Sequence, residues 1–203
     1  MGWLTMPFSS MGGHKTASAY LDAQLTYERR LEDGSARGLR VLASSCPGNR
    51  VYYAAVQTVI NGIPGEVFAV VCLVKWSPHS RTNENFGYKD MDESMGPHES
   101  DCPANILDLL TTSDKEYALD WRRRCLARQR MRSRKVRDGD RVRLASPLRF
   151  TDGEMRDEFI VEKRGRSMHF RDAHGGGLCH ISHFMDRHWI IVPTTKVHKT
   201  VFA

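Results

Sequence analysis

The stretch Val67-Phe68-Ala69-Val70-Val71-Cys72-Leu73-Val74 is apolar without alternation, so a strand there must be covered on both faces. That demand fixes much of the surrounding fold. Asn61-Gly62, just upstream, is a hairpin signal, and 51–60 reads as the partner strand. Residues 38–46 add another strand across the turn Pro47-Gly48-Asn49, and 3–8 a short one. Thr16 or Ser18 can cap a helix running to about Glu32, with Tyr20, Gln24, Tyr27 and Leu31 on one side. The expected class is α+β: an antiparallel sheet with packed helices, followed by a basic helix and a small barrel.

The hydrophobic rhythm stops after Ser77, and 84–101 reads as an acidic loop. Pro103 suits the first turn of a short helix over 104–110. Ser113-Asp114-Lys115-Glu116 has the capping-box pattern and opens a longer helix, in which Tyr117, Trp121 and Cys125 share one face. Asp138-Gly139-Asp140 then turns the chain into Arg141-Val142-Arg143-Leu144. Short strands are predicted near 159–163, 167–170, 178–182 and 188–192, separated by glycine-containing turns. They predict a small SH3-like or OB-like β-barrel. The expected domains are 1–112 (α+β), 113–136 (basic connecting helix) and 137–193 (barrel), with a tail over 194–203.

The 203 residues carry 30 Lys+Arg against 24 Asp+Glu, a net +6 that conceals a sharp split. Residues 1–120 are net −5 and 121–203 net +11; the step is steepest between 84–120, at −8, and 122–143, at +9. Such a division suits either two partners or an internal electrostatic contact. No stretch is long and apolar enough to span a bilayer, and the opening residues Met1-Gly2-Trp3-Leu4-Thr5-Met6 show no secretory signal. Five scattered cysteines with no CxxC point to a reducing cytoplasm. No cofactor or membrane partner is implied.

The string Asn85-Phe86-Gly87-Tyr88-Lys89-Asp90-Met91-Asp92-Glu93, followed by Gly96-Pro97 and Cys102-Pro103, carries a family resemblance. With Met1-Gly2-Trp3 and Tyr52-Tyr53-Ala54-Ala55-Val56, it resembles an uncharacterised family of proteins encoded by phages, plasmids and integrative elements of bacteria. The resemblance implies an accessory role in a mobile element and supplies no catalytic residue.

The first candidate site is basic. Arg123, Arg124, Arg128, Arg130, Arg132, Arg134 and Lys135 could contact phosphates or an acidic protein surface, with Arg124, Arg128 and Arg132 at helical spacing. The expected partner is nucleic acid or a host protein–nucleic acid complex. The plainer alternative packs this helix against the acidic 84–120 region of its own chain. The second candidate is the acidic-loop motif Tyr88, Lys89, Asp90, Asp92 and Glu93. It could imitate nucleic acid and inhibit a host defence complex, or offer carboxylates for hydrolysis. Cys102, before a helix N-terminus, is a possible nucleophile, although Glu99 and Asp101 disfavour its thiolate. Cys179, His180, His183 and His188 lack a zinc spacing, because 180 and 183 face opposite sides of a strand. A non-enzymatic binding role is the expected function.

Overall fold

The apolar run lies inside the long strand Ile63–Trp76, and neighbours flank it on both sides. The structure, a computed structural model, describes residues 2–79, 84–165 and 167–193; the expected tail lies outside them. The chain divides into two units, Met1–Ala127 and Arg128–Ala203. In chain order the first unit has β1 (Leu4–Met6), α1 (Ala17–Gln24), β2 (Tyr27–Arg30), β3 (Ala36–Ser45), β4 (Val51–Ile60), β5 (Ile63–Trp76), β6 (Phe86–Asp92), α2 (Ala104–Leu107) and α3 (Glu116–Arg132). The last turns of α3 belong to the second unit.

Strands β1–β6 form one antiparallel sheet, ordered β1-β6-β5-β4-β3-β2. Its two faces feed two cores. On one, Val70 and Cys72 join Tyr52, Ala54 and Val56 of β4 and Ala17, Tyr20 and Leu21 of α1. On the other, Val67, Ala69 and Val71 join Tyr53 and Ala55 with Ile106, Trp121 and Cys125. Alternate residues of one continuous apolar run therefore face different cores, which is why it shows no polar phase.

The expected hairpin is present: Asn61 and Gly62 take positive φ, and Ile60 pairs with Ile63. Thr16 caps α1, accepting from the Ala19 N–H. The helix stops at Gln24, however, and not near Glu32. Residues 27–30 become the edge strand β2, whose backbone groups pair with β3. That close pairing depends on Gly38, because a β-carbon there would collide with the Tyr27 carbonyl. The expected apolar face through Tyr27 and Leu31 thus yields to a ladder made with a distant segment. Helix α3 likewise starts at Glu116, while Ser113 accepts from the Lys115 N–H one turn earlier.

In the second unit β7 (Arg141–Arg149), β8 (Met155–Arg164), β9 (Ser167–Asp172), β10 (Leu178–Cys179) and β11 (Trp189–Ile191) form an antiparallel sheet ordered β10-β9-β8-β7-β11. It curls into a half-barrel around Val142, Leu144, Phe159, Val161, Phe170, Phe184 and Trp189. The aromatic residues fill this core, and Phe184 stacks on Trp189. Pro147 lies where the β7–β8 register breaks, so its missing N–H costs no ladder bond. The protein is thus predominantly β and antiparallel. No helix among the described residues is long and apolar enough to cross a membrane.

Candidate nucleic-acid interface

The acidic segment expected as a loop over 84–101 begins as a strand. Phe86–Asp92 is β6, paired with β1 on one side and β5 on the other. Alternation then separates the motif's chemistry: Tyr88 and Asp90 face the α1 side of the sheet, and Lys89 the other. Tyr88 packs edge-on against Tyr20 near Phe86, and burial raises its phenol pKa. Asp92 accepts from the Ser94 N–H at 2.7 Å and so caps the short turn Glu93–Met95. Glu93 turns inward and is 3% exposed.

Glu93 is where the acidic and basic stretches meet. Arg122 donates Nε to Glu93 Oε2 at 2.6 Å and Nη2 to Oε1 at 2.5 Å, a two-pronged clamp that only a guanidinium supplies. Its Nη1 reaches the Thr111 carbonyl at 2.5 Å. One residue earlier, Trp121 donates from its indole to the Glu99 carbonyl at 2.7 Å. Arg124 donates to the carbonyls of Pro97 at 2.8 Å and His98 at 3.1 Å, and to Asp120 Oδ2 at 3.0 Å. The first cations of the basic stretch therefore serve the first unit's own packing.

Much of the rest is also engaged, within the second unit. Arg132 pairs with Asp186 at 2.6 Å and holds that carboxyl below its usual range, with Arg128 adding to the pull. Arg134 donates to the Trp189 carbonyl and places its guanidinium 5.1 Å from the centre of the indole ring. Arg143 and Arg141 converge on the buried Glu158 and depress its pKa. Of the expected stripe, Arg124 and Arg132 are thus each held by a carboxylate of their own unit, Arg132 while still exposed. Arg128 and Arg132 follow Trp121 by seven and eleven residues, the spacing of one helix face.

What remains outward differs from the expected set. Arg123 is 72% exposed, with Asp120 3.6 Å away. Arg130 and Lys135 are exposed and have no ion pair among the described residues, and Arg137, absent from the candidates, joins them. All three lie at the end of α3 and in the segment before β7.

The enzyme candidates do not assemble. Lys89 is parted from Asp90 by the sheet, and Asp92 caps the turn after β6. Cys102 is 1% exposed, and burial pushes its thiol up. Burial also raises Cys72 to about 12 and Cys125 to about 11. Alkylation of the native protein at pH 8 should therefore leave Cys72, Cys102 and Cys125 unmodified, while unfolded protein takes label on every cysteine. Mass spectrometry of the labelled peptides checks this; rapid native labelling of Cys102 would restore the nucleophile reading. Among the described residues no group of His, Cys, Asp and Glu is placed to hold a metal ion. His183 is largely exposed near Asp186, and Cys179 donates to the Phe170 carbonyl.

No curated protein and no solved structure matches the chain. The string 86–93 that carries the mobile-element resemblance lies outside the segment for which a family is found. Residues 112–184, from the approach to α3 through most of the half-barrel, match a domain of unknown function, DUF6927.

Proposed function

We propose that this chain is a non-enzymatic accessory protein of a bacterial mobile element, and that it binds nucleic acid, alone or within a host protein–nucleic acid complex. The observation that carries the reading is the outward trio Arg130, Lys135 and Arg137. These cations stay exposed without an ion pair among the described residues, while the side chains of Arg132, Arg134, Arg141 and Arg143 have partners within the second unit. Residues 128–203 carry a net +8, so an anionic partner is favoured over the whole second unit. The half-barrel, of SH3-like or OB-like kind, adds support by analogy of fold. The mobile-element role rests on the Phe86–Glu93 resemblance.

The test is binding of labelled DNA and RNA to the whole chain across a salt series. Reversing Arg130, Lys135 and Arg137 to Glu should weaken binding at least tenfold. It should also lower the slope of log affinity against log salt by about 2–3, since each lost phosphate contact removes roughly 0.7–0.9. No affinity of the wild-type chain at low salt overturns the proposal, as does a variant that binds with unchanged slope.

A further inference from the structure

The first unit carries a second cationic surface, and strand register creates it. Antiparallel partners share a sheet face, and the register aligns Arg29 of β2 with Arg37 of β3, Arg37 with Ile60 of β4, and Ile60 with Ile63 of β5. The adjacent row on this face begins with Tyr27 opposite Leu39. This is the α1 side of the sheet, continued past the helix. The row is open: Tyr27 is 54%, Ile60 49% and Ile63 69% exposed, and both arginines are exposed.

Two features of the row call for an outside ligand. Like charges set directly opposite on neighbouring strands destabilise a sheet, and Arg29 and Arg37 are such a pair. Neither has an ion pair among the described residues; Asp33 of the intervening turn attracts Arg37 at longer range while accepting from the Ser35 N–H at 2.9 Å and hydroxyl at 2.6 Å. An anion bridging the two guanidinium groups relieves that repulsion. Beside them lie an exposed aromatic ring and two exposed isoleucines, which asks for an occupant with apolar faces as well as charge.

We infer that this end of the sheet binds single-stranded nucleic acid, with Arg29 and Arg37 on the phosphates and Tyr27 stacked on a base. A single strand joins regularly spaced phosphates to unpaired base faces, and stacking on an aromatic ring is open to any base. A duplex keeps those faces inside its own stack and cannot use Tyr27. An acidic peptide could meet the arginines but brings no aromatic plane. The inference shares its ligand class with the proposed function and adds a contact in the first unit, carried by different residues.

Fluorescence anisotropy of the whole chain tests it, with labelled single-stranded oligo-dT and oligo-U, a duplex, and an oligo-glutamate peptide as probes. The variants are Arg29→Glu/Arg37→Glu, Tyr27→Ala, Tyr27→Phe, and the Arg130/Lys135/Arg137 reversal. The double reversal should cut single-strand affinity at least tenfold and lower the salt slope by about 1.4. Tyr27→Ala should cost about tenfold for single strands and leave duplex binding unchanged, while Tyr27→Phe keeps wild-type affinity. These substitutions are exposed, and thermal melts should match wild type. Single-strand affinity unchanged in the double reversal, or in Tyr27→Ala, overturns the inference, as does capture of oligo-glutamate without the oligonucleotides. Loss confined to the Arg130/Lys135/Arg137 reversal overturns it while sustaining the proposed function; loss confined to the Arg29/Arg37 reversal does the opposite. No binding of any oligonucleotide overturns both.

Discussion

Truncating Trp121 to alanine should destabilise the first unit by about 3–5 kcal/mol, the range for deleting a fully buried aromatic side chain. Trp121 is 0% exposed and sits with Val71, Ile106 and Cys125 in the core on one side of the sheet. Its removal leaves a cavity beneath α3 and strips the Glu99 carbonyl of the indole donor 2.7 Å away. Both losses fall on one junction, where α3 meets the acidic segment. Urea denaturation followed by far-UV circular dichroism gives the number. Trp121→Phe, which keeps most of the volume and loses the hydrogen bond with a smaller cavity, should cost less than half as much. A Trp121→Ala loss below about 1 kcal/mol, the range of ordinary surface changes and mild substitutions, would mean that this core does not hold α3.

Arg122→Ala should cost a similar amount for a different reason. It abandons the buried Glu93 carboxylate, and removing one partner of a buried pair typically costs about 3–5 kcal/mol. Removing both charges tests that explanation. Arg122→Met combined with Glu93→Gln eliminates the desolvated carboxylate and keeps the volume, so it should recover most of the loss. The clamp lies in a polar cleft lined by Glu66, Asp92, Ser94, Thr111, Asp114 and Lys115, and the Thr111 carbonyl loses a donor in either variant. If the double variant is as unstable as Arg122→Ala, that carbonyl and the packing matter more than the charge pair.

These two residues also show how far the sequence could be read. Trp121 and Cys125 were legible as a buried helical face from their spacing alone. The same spacing carried on to Arg128 and Arg132, yet arginine's charge invited an outward reading. Glu93 belonged to a run of acids that looked solvated, and nothing adjacent in the sequence distinguishes it from Asp90. The difference comes from β6: the strand leaves Asp90 exposed and ends at Asp92, and the turn that follows delivers Glu93 to an arginine 29 positions away. Arg29 and Arg37 show the reverse case. Eight positions apart in the sequence, they become neighbours through a hairpin register. The short α1 fails in a related way, because the residues after Gln24 gain more from pairing with β3 than from another helical turn.

Turn chemistry and hydrophobic period are local, so the sequence alone specifies β1, β3, β4, the Asn61-Gly62 hairpin, the doubly covered β5 and the five strands of the half-barrel, but not β2 or β6. It also determined the division of charge between an acidic front and a basic back. Which of those charges cancel depends on the packed chain. Electrostatic energy depends on separation and burial, and a few ångströms between residues far apart in the chain turn Arg122, Arg124 and Arg132 into internal fastenings. The same geometry leaves Arg130, Lys135 and Arg137 facing water.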